Sequence, residues 1–374
     1  MDPMSNPKKD KYFLELALEE ARKALGRTSP NPCVGAVVVR EGQVVATGYH
    51  EKAGTPHAEV HALRRAGDKA KGATLYVTLE PCNHTGRTPP CTHAIVKSGI
   101  SRVVIGMLDP NPLVSGSGRQ YLLDHDIEVT TGILEAECRS INEPFFKYIT
   151  SGQPQVILKA GISLDGRLNY RKGKGGWITG AESLKMVHRM RDRCDAILVG
   201  RNTVSIDDPS LTTRLSDGGG RDPVRVILDT HLSLSQKAKV LHLDSESYTW
   251  IFCSNTVSPQ RIDKIKKSGV KVTQVSCNRD GSLDLVNILE NLAAKGIVSL
   301  LVEGGGKIHS SFLKKRVADK VCLFYAPIFA GSGGEAVFSD LLVSDRDDAI
   351  RLSEVKYSRC GEDMLVEGYL CYPD

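Results

Sequence analysis

His57, Glu59, Cys82 and Cys91 are the residues of this chain whose types and spacing best suit chemistry. They lie in PHAEVHALRRAG (Pro56 to Gly67) and TLEPCNHTGRTPPC (Thr78 to Cys91). One imidazole and two thiols can hold a zinc ion and leave its fourth position open, as catalytic zinc sites do. Eight residues separate the two cysteines, where a compact zinc knuckle has about two to four. The wide gap is tolerable if a strand end fixes Cys82, a helix start fixes Cys91, and the loop between them bulges away. That loop then carries His84 and Arg87 over the mouth of the site. A helix N-terminus also favours the thiolate form that a metal requires.

Glu59 decides between structural and catalytic readings. H-x-E followed by P-C-x-x-C is the signature of zinc deaminases, in which the glutamate is not a ligand but carries protons between water and the leaving amine. His57-Ala58-Glu59 and Pro81-Cys82 match it, while the spacing to Cys91 does not. The alternative is a closed shell with His61 as fourth ligand, on the same helical face as His57. That would leave Glu59 without a role. Otherwise His61 and His93 read as packed or surface histidines.

These residues need elements to position them. Apolar spacing predicts a helix over Lys11–Leu25. CVGAVVVR and QVVATGYH around Glu41-Gly42 read as a β-hairpin. Helices are expected over His57–Arg65 and Cys91–Ser98, and strands over Ala73–Leu79, Arg102–Gly106 and Ile127–Thr131. One further helix is expected from Leu134 to Ile149. TSGQP (Thr150 to Pro154) has boundary composition, so we expect domains over residues 1–150 and 154–374. The second half alternates again: QVILKAGISL, a helix over Ser183–Arg193, DAILVG, PVRVILD, YTWIFC, VKVTQV, the helix LDLVNILENLAAKG, IVSLLVEGGG, KVCLFYAP and MLVEGYLCY. Such alternation argues two α/β domains. SDGGGRDP (Ser216 to Pro223) reads as a surface loop.

A length of 374 residues is ample for two cores. Hydrophobic residues at 41% and charged residues at 25% are those of a soluble globular protein, and no apolar run is long enough to cross a bilayer. MDPMSNPKKDKYFLELALEE lacks a signal core, so a cytoplasmic protein is expected. The ten cysteines form no dense framework. Cys33, Cys138, Cys194, Cys253, Cys277, Cys322, Cys360 and Cys371 read as reduced, buried small hydrophobes. A net charge of +5 without a long basic block demands no nucleic-acid partner.

SPNPCVGAVVV (Ser29 to Val39), GYHEKAGTPHAEVHAL, TLEPCNHTGRTPPCTHAI and GMLDPNPLVSGSG (Gly106 to Gly118) resemble the bifunctional riboflavin biosynthesis deaminase/reductases. KAGISLDGRL, GGWITG, DAILVGRNTVSIDDPSLTTR and VEGGGKIHSSFL continue the resemblance, which covers nearly the whole chain. It implies a cytidine-deaminase-like three-layer α/β/α domain followed by a dihydrofolate-reductase-like α/β domain. In that family the long cysteine spacer is the rule. His57, Cys82 and Cys91 would hold one zinc per chain, Glu59 would be the proton shuttle, and Asn31, His50, His84 and Arg87 would contact the substrate. In the second domain Lys159, Arg191, Leu211, Arg214 and Glu303 would meet the ribosyl phosphate. Gly161, Trp177, Thr203, Asp207, Thr230, Gly305, Gly306, Lys307, Ile308 and His309 would line the NADPH site.

Read without the resemblance, several of these positions have plainer meanings. Asn31 is a turn residue between prolines, His50 a surface imidazole, Lys159 a strand lysine, and Asp207-Asp208-Pro209 a helix-ending turn. VEGGGKIHSSF is a strand, a glycine turn and a helix start, where free N–H groups favour phosphate. It is not a Rossmann fingerprint. LLDHDIEV has Asp126 where the family often has glycine, a surface change. Arg87 stands where some members have lysine.

The implied activity is hydrolytic deamination of a phosphoribosylamino-pyrimidine, then reduction of its ribosyl chain by NADPH. The expected partner is that small molecule, with no membrane or nucleic acid, in a homodimer or tetramer. One rival is a nucleic-acid deaminase, which predicts close cysteines and a basic or aromatic surface. The other is a zinc-stabilised binding module, which predicts a fourth protein ligand.

Overall fold

The computed structural model describes residues 7–84, 89–111 and 115–373. The chain divides into two units, residues 1–152 and 153–374, each with its own buried core.

In the first unit α1 (Pro7–Arg22) buries Phe13, Leu14, Ala17, Leu18 and Ala21 along one stripe. It starts earlier than the apolar pattern implies, because Pro7 suits a first turn whose N–H groups have no intrahelical partner. β1 (Gly35–Arg40) and β2 (Gln43–Tyr49) pair antiparallel across Glu41 and Gly42. Both turn residues are left-handed (φ 53° and 77°), the geometry that matches strand twist in a two-residue hairpin.

Next come α2 (Ala58–Ala66), β3 (Thr74–Leu79), α3 (Cys91–Lys97), β4 (Arg102–Met107), α4 (Ser117–Leu123) and β5 (Glu128–Thr131). The sheet order is β2-β1-β3-β4-β5, with β3, β4 and β5 parallel. A side chain at Gly35 would strike the α1 backbone at Ala17, and one at Gly48 the α2 backbone at Ala58 and Ala62. Gly48 pairs with Ala36, the neighbour of Gly35, so the two glycines face opposite ways. Helices therefore cover both faces of the sheet, giving three layers. Asp126, before β5, has φ 59°, a conformation that glycine adopts more easily.

The single helix expected over Leu134–Ile149 is two, α5 (Glu135–Ser140) and α6 (Glu143–Ser151). Pro144 lies in the first turn of α6. It has no N–H to continue a helix, and its ring would clash with the carbonyl four residues back.

The second unit contains β6 (Gln155–Ser163), α7 (Ala181–Arg193), β7 (Ala196–Gly200), α8 (Arg201–Asp207), β8 (Val224–Leu228), β9 (Thr249–Ser254), α9 (Pro259–Lys266), β10 (Lys271–Val275), α10 (Leu285–Ala293), β11 (Ser299–Val302), α11 (Gly306–Lys314), β12 (Lys320–Ala326), β13 (Arg351–Cys360) and β14 (Asp363–Cys371). The sheet order is β10-β9-β8-β7-β11-β6-β12-β14-β13. Strands from β10 to β12 run parallel, and β14 and β13 add an antiparallel hairpin. The central strands are apolar on both faces, as buried parallel strands are. β13 has no such pattern, since it is a mostly exposed edge strand. Of the eight cysteines expected to be buried, Cys277 and Cys371 are exposed. Cys277 follows β10 and Cys371 ends β14, where the sheet no longer covers them.

Arg102 ties α1 to the sheet. Its guanidinium donates to both Asp10 oxygens (2.8 and 2.9 Å), to Glu128 (2.8 Å) and to Thr130 (2.9 Å), and the Tyr76 hydroxyl donates to Asp10 (2.8 Å). The Arg102 and Asp10 side chains are 1% and 4% exposed. Removing one partner strands the other without solvent, so Asp10→Ala should destabilise the first unit by ~3–5 kcal/mol. Urea unfolding monitored on wild type and variant checks this.

Candidate active sites

The end of β3 delivers Glu80-Pro81-Cys82, α3 begins on Cys91, and α2 begins just after His57. One strand end and two helix starts thus bring His57, Cys82 and Cys91 together, with their ligand atoms within 4.8 Å of one another. His57 Nδ1 lies 3.2 Å from Cys91 Sγ and 3.5 Å from Cys82 Sγ, and the Cys91 N–H donates to Cys82 Sγ (3.4 Å). Among the described residues this is the one His/Cys/Asp/Glu cluster so arranged, and His61 is not part of it. His61 sits on the α2 surface that packs against Gly48.

The hydrogen bond from the Cys91 thiol pulls the Cys82 thiol down to about 4, against burial and with help from His57. The same bond and burial push Cys91 up. His57 is raised by its bond to Cys82, against burial. A thiolate is thus already favoured at Cys82, the state in which cysteine binds metal. Two sulfurs and one imidazole suit zinc. Glu59 stands beside the trio, 3% exposed, and its Oε2 has no hydrogen-bond partner. Burial pushes its carboxyl up to about 7, opposed by His57.

A cavity of about 450 Å³ opens on this cluster, lined by Asn31, His50, His57, Glu59, Cys82 and His84. Asn31 Nδ2 is 3.1 Å from His50 Nε2, and His50 Nδ1 is 3.1 Å from the Pro56 carbonyl. A carbonyl only accepts, so Nδ1 carries the hydrogen there. His50 is 2% exposed, so it is not a surface imidazole; burial holds its pKa below the usual value, opposed by the Pro56 carbonyl. Arg87 lies outside the described residues. The cavity also takes residues that motif reading missed: Glu80, Asp109, Asn111, Phe145 and Ile149. The Glu80 carboxylate accepts from the N–H groups of Asp109 (3.1 Å), Gly116 (2.9 Å) and Arg119 (2.9 Å), tying the loops after β3 and β4 together. Only the polar residues of LDPNP, directly after a strand, hinted at this in the sequence.

In the second unit a cavity of about 1200 Å³ opens towards the carboxyl ends of β6, β7, β8 and β11. It brings together Lys159, Gly161, Trp177, Arg191, Thr203, Asp207, Leu211, Thr230, Glu303, Gly305, Lys307 and Ile308. Glu303 accepts both arms of the Arg191 guanidinium (2.8 and 2.9 Å) and lies 3.7 Å from Lys159 Nζ. Burial alone would raise the Glu303 carboxyl, yet Arg191 and Lys159 hold it at about 2. Lys159 is lowered by burial, against the pull of Glu303. Two buried cations share one carboxylate, which leaves a positive excess facing the cavity.

Arg214, Gly306 and His309 do not line it. Arg214 is exposed; its N–H donates to His188 Nδ1 (3.1 Å) and its side chain to Thr212 (3.2 Å). Gly306 lies under the Ala336 carbonyl, where a side chain would not fit. His309 is 1% exposed with Nε2 facing the Val302 carbonyl (3.4 Å), and burial pushes its pKa down to about 4. It sits on the inner face of α11, whereas Lys307 and Ile308 face the cavity.

Residues 7–107 match the cytidine and deoxycytidylate deaminase zinc-binding region, and residues 154–366 match the RibD C-terminal domain. The riboflavin biosynthesis protein RibD of Aquifex aeolicus is 46% identical over 96% of this chain and 97% of its own. A solved RibD structure from Acinetobacter baumannii is 35% identical with a TM-score of 0.88, covering 98% of this chain and 100% of that one. A Thermotoga maritima structure is 41% identical with a TM-score of 0.84, covering 98% of this chain and 99% of that one. It is described as a diaminohydroxyphosphoribosylaminopyrimidine deaminase/5-amino-6-(5-phosphoribosylamino)uracil reductase. The zinc-ready trio with Glu59 beside it and the crevice around Lys159 and Arg191 thus fall in the two regions that the family models match, and the chain belongs to the RibD family of riboflavin biosynthesis proteins.

Proposed function

We propose that this chain carries out both reactions named for the Thermotoga relative. It deaminates 2,5-diamino-6-(5-phosphoribosylamino)pyrimidin-4-one with zinc, then reduces the ribosyl side chain with NADPH to give 5-amino-6-(5-phosphoribitylamino)uracil. The observation that carries the reading is a buried, unpartnered Glu59 oxygen beside a three-donor His/Cys/Cys cluster. A purely structural zinc site would give Glu59 no reason to be buried there with one carboxylate oxygen unpartnered.

His57, Cys82 and Cys91 would hold the zinc, which supplies a Lewis acid that makes water nucleophilic near neutral pH. Glu59 takes the proton from the attacking water and returns it to the departing amine. Its burial keeps that proton from exchanging freely with solvent. Asn31, His50 and His84 orient the pyrimidine over these groups. Arg87 is assigned to the substrate phosphate, which a guanidinium binds with two parallel hydrogen bonds.

In the second unit Lys159 and Arg191 receive the ribosyl phosphate end of the substrate and Glu303 meets it by holding those two cations in place, with Leu211 as an apolar wall and Arg214 at the rim. Gly161, Trp177, Thr203, Asp207 and Thr230 line the nicotinamide cofactor's path. Gly305, Gly306, Lys307 and Ile308 form the start of α11, whose free backbone N–H groups would hold a cofactor phosphate. His309 supports that turn from below. The cofactor carries the hydride, and the residues supply orientation and charge. No helix among the described residues is long and apolar enough to cross a membrane, and we place the enzyme in the cytoplasm as a homodimer or tetramer.

Two substitutions separate the halves. Glu59→Gln should abolish ammonia release while zinc stays bound, because the amide keeps the shape but cannot take up and hand on a proton; zinc content with an ammonia assay checks this, and full deaminase activity would sink the role. Lys159→Met should slow NADPH oxidation on the deaminated intermediate by about 100-fold, the usual scale for one oriented charged donor, and leave ammonia release intact. Absorbance of NADPH read in parallel with ammonia decides that case.

A further inference from the structure

Asn142 lies outside the zinc-binding region matched over residues 7–107, yet it is built into the frame of the deaminase cavity. It is 2% exposed. Its Oδ1 accepts from the Cys33 N–H (2.7 Å) and its Nδ2 donates to the Cys33 carbonyl (2.9 Å). One side-chain amide thus pairs both backbone groups of one residue, as a neighbouring strand would. Asparagine at the start of a helix ordinarily caps that helix, but the Asn142 side chain makes no cap bond to α6. Its chemistry is committed to Cys33 instead.

Cys33 closes the loop Pro30-Asn31-Pro32, whose two prolines have no N–H with which to anchor it. Asn31 N–H donates to the Thr28 carbonyl (2.8 Å), and Asn31 Nδ2 meets His50. The grip on Cys33 ties that loop to α6, and Phe145 and Ile149 of α6 line the same cavity as Asn31. Asn142 itself does not line the cavity.

We propose that Asn142 is a positioning residue of the deaminase reaction: its double bond to Cys33 sets Asn31 and the Phe145–Ile149 wall at the spacing that the pyrimidine substrate requires. The proposal rests on the deaminase reading above. Losing the amide removes two hydrogen bonds to the Cys33 backbone (2.7 and 2.9 Å), and with them the tie that holds the loop to α6, so the loop shifts. The shift is felt in substrate affinity, since zinc and Glu59 are held by other segments.

The test uses the full chain loaded with zinc. Asn142→Ala is expected to raise KM for the diaminopyrimidine phosphate about tenfold or more while kcat changes far less. Zinc content and NADPH oxidation on the deaminated intermediate stay at wild-type values. Adding Asn31→Ala to this variant should raise KM by less than about twofold further, because coupled residues do not act additively. A wild-type KM in Asn142→Ala, or fully multiplicative effects of the two substitutions, overturns the proposal. Should the alanine variant lose zinc or fail to fold, Asn142→Asp decides: it keeps an acceptor for the Cys33 N–H but sets an oxygen against the Cys33 carbonyl. An unchanged KM there overturns the proposal equally. Absence of ammonia release from the wild-type chain would instead refute the deaminase reading, a distinct outcome.

Discussion

The first unit's site depends on how closely α2 can lie on β2. Gly48 has no side chain, and the α2 backbone at Ala58 and Ala62 occupies the space where one would be. Both alanines are fully buried, so the contact is backbone against backbone with nothing to compress. His57 immediately precedes this contact and Glu59 follows its first residue. A bulkier residue at 48 would lift the N-terminus of α2, and with it the imidazole and the carboxyl, away from Cys82 and Cys91. On the other side Cys91 starts α3 and receives support from Cys82, whose carbonyl accepts the Thr92 N–H (3.3 Å). The wide cysteine spacer is therefore harmless to the trio. Each thiol has its own anchor, and the loop between them need not be tight.

The second unit solves a different problem, the burial of charge. β11 lies between β6 and β7, although it is formed long after both, and its insertion puts Glu303 between Lys159 of β6 and Arg191 of α7. A crevice at strand carboxyl ends, where successive connections diverge, is the usual ligand position in open parallel sheets. Here the connection from β7 onward moves away through β8, β9 and β10, while β6 and β12 lie on the other side. Glu303 keeps two buried cations tolerable, because each is paired with the same carboxylate. These side chains are already desolvated and oriented in the crevice, the condition under which fixed charges act most strongly.

Local chemistry was legible in the sequence and long-range partnership was not. H-x-E and P-C could be read because a few adjacent residues carry the whole signal, and the hairpin at Glu41-Gly42 because its turn residues have special backbone needs. The family resemblance then extended the reading to residues such as Lys159 and Glu303, whose individual patterns were ambiguous. The break between α5 and α6 was written in Pro144 but was overridden by a continuous apolar pattern across it. The resemblance put His309 in the cofactor-lining run that begins at Gly305; helical geometry turns it inward, to the face opposite Lys307.

Asn142 shows why such gaps arise. Its type and place suggest a helix cap, which would satisfy the first N–H groups of α6 and have no bearing on the zinc site. The fold instead sets it against Cys33, 109 positions away. Nothing in either local sequence encodes that pairing, since it exists only once α1, the sheet and α6 are assembled around a common core. Residues that shape a site from such a distance are invisible to motif reading because their partner is a backbone. A backbone N–H and carbonyl are present at almost every position, and only the assembled fold selects which of them an amide will meet.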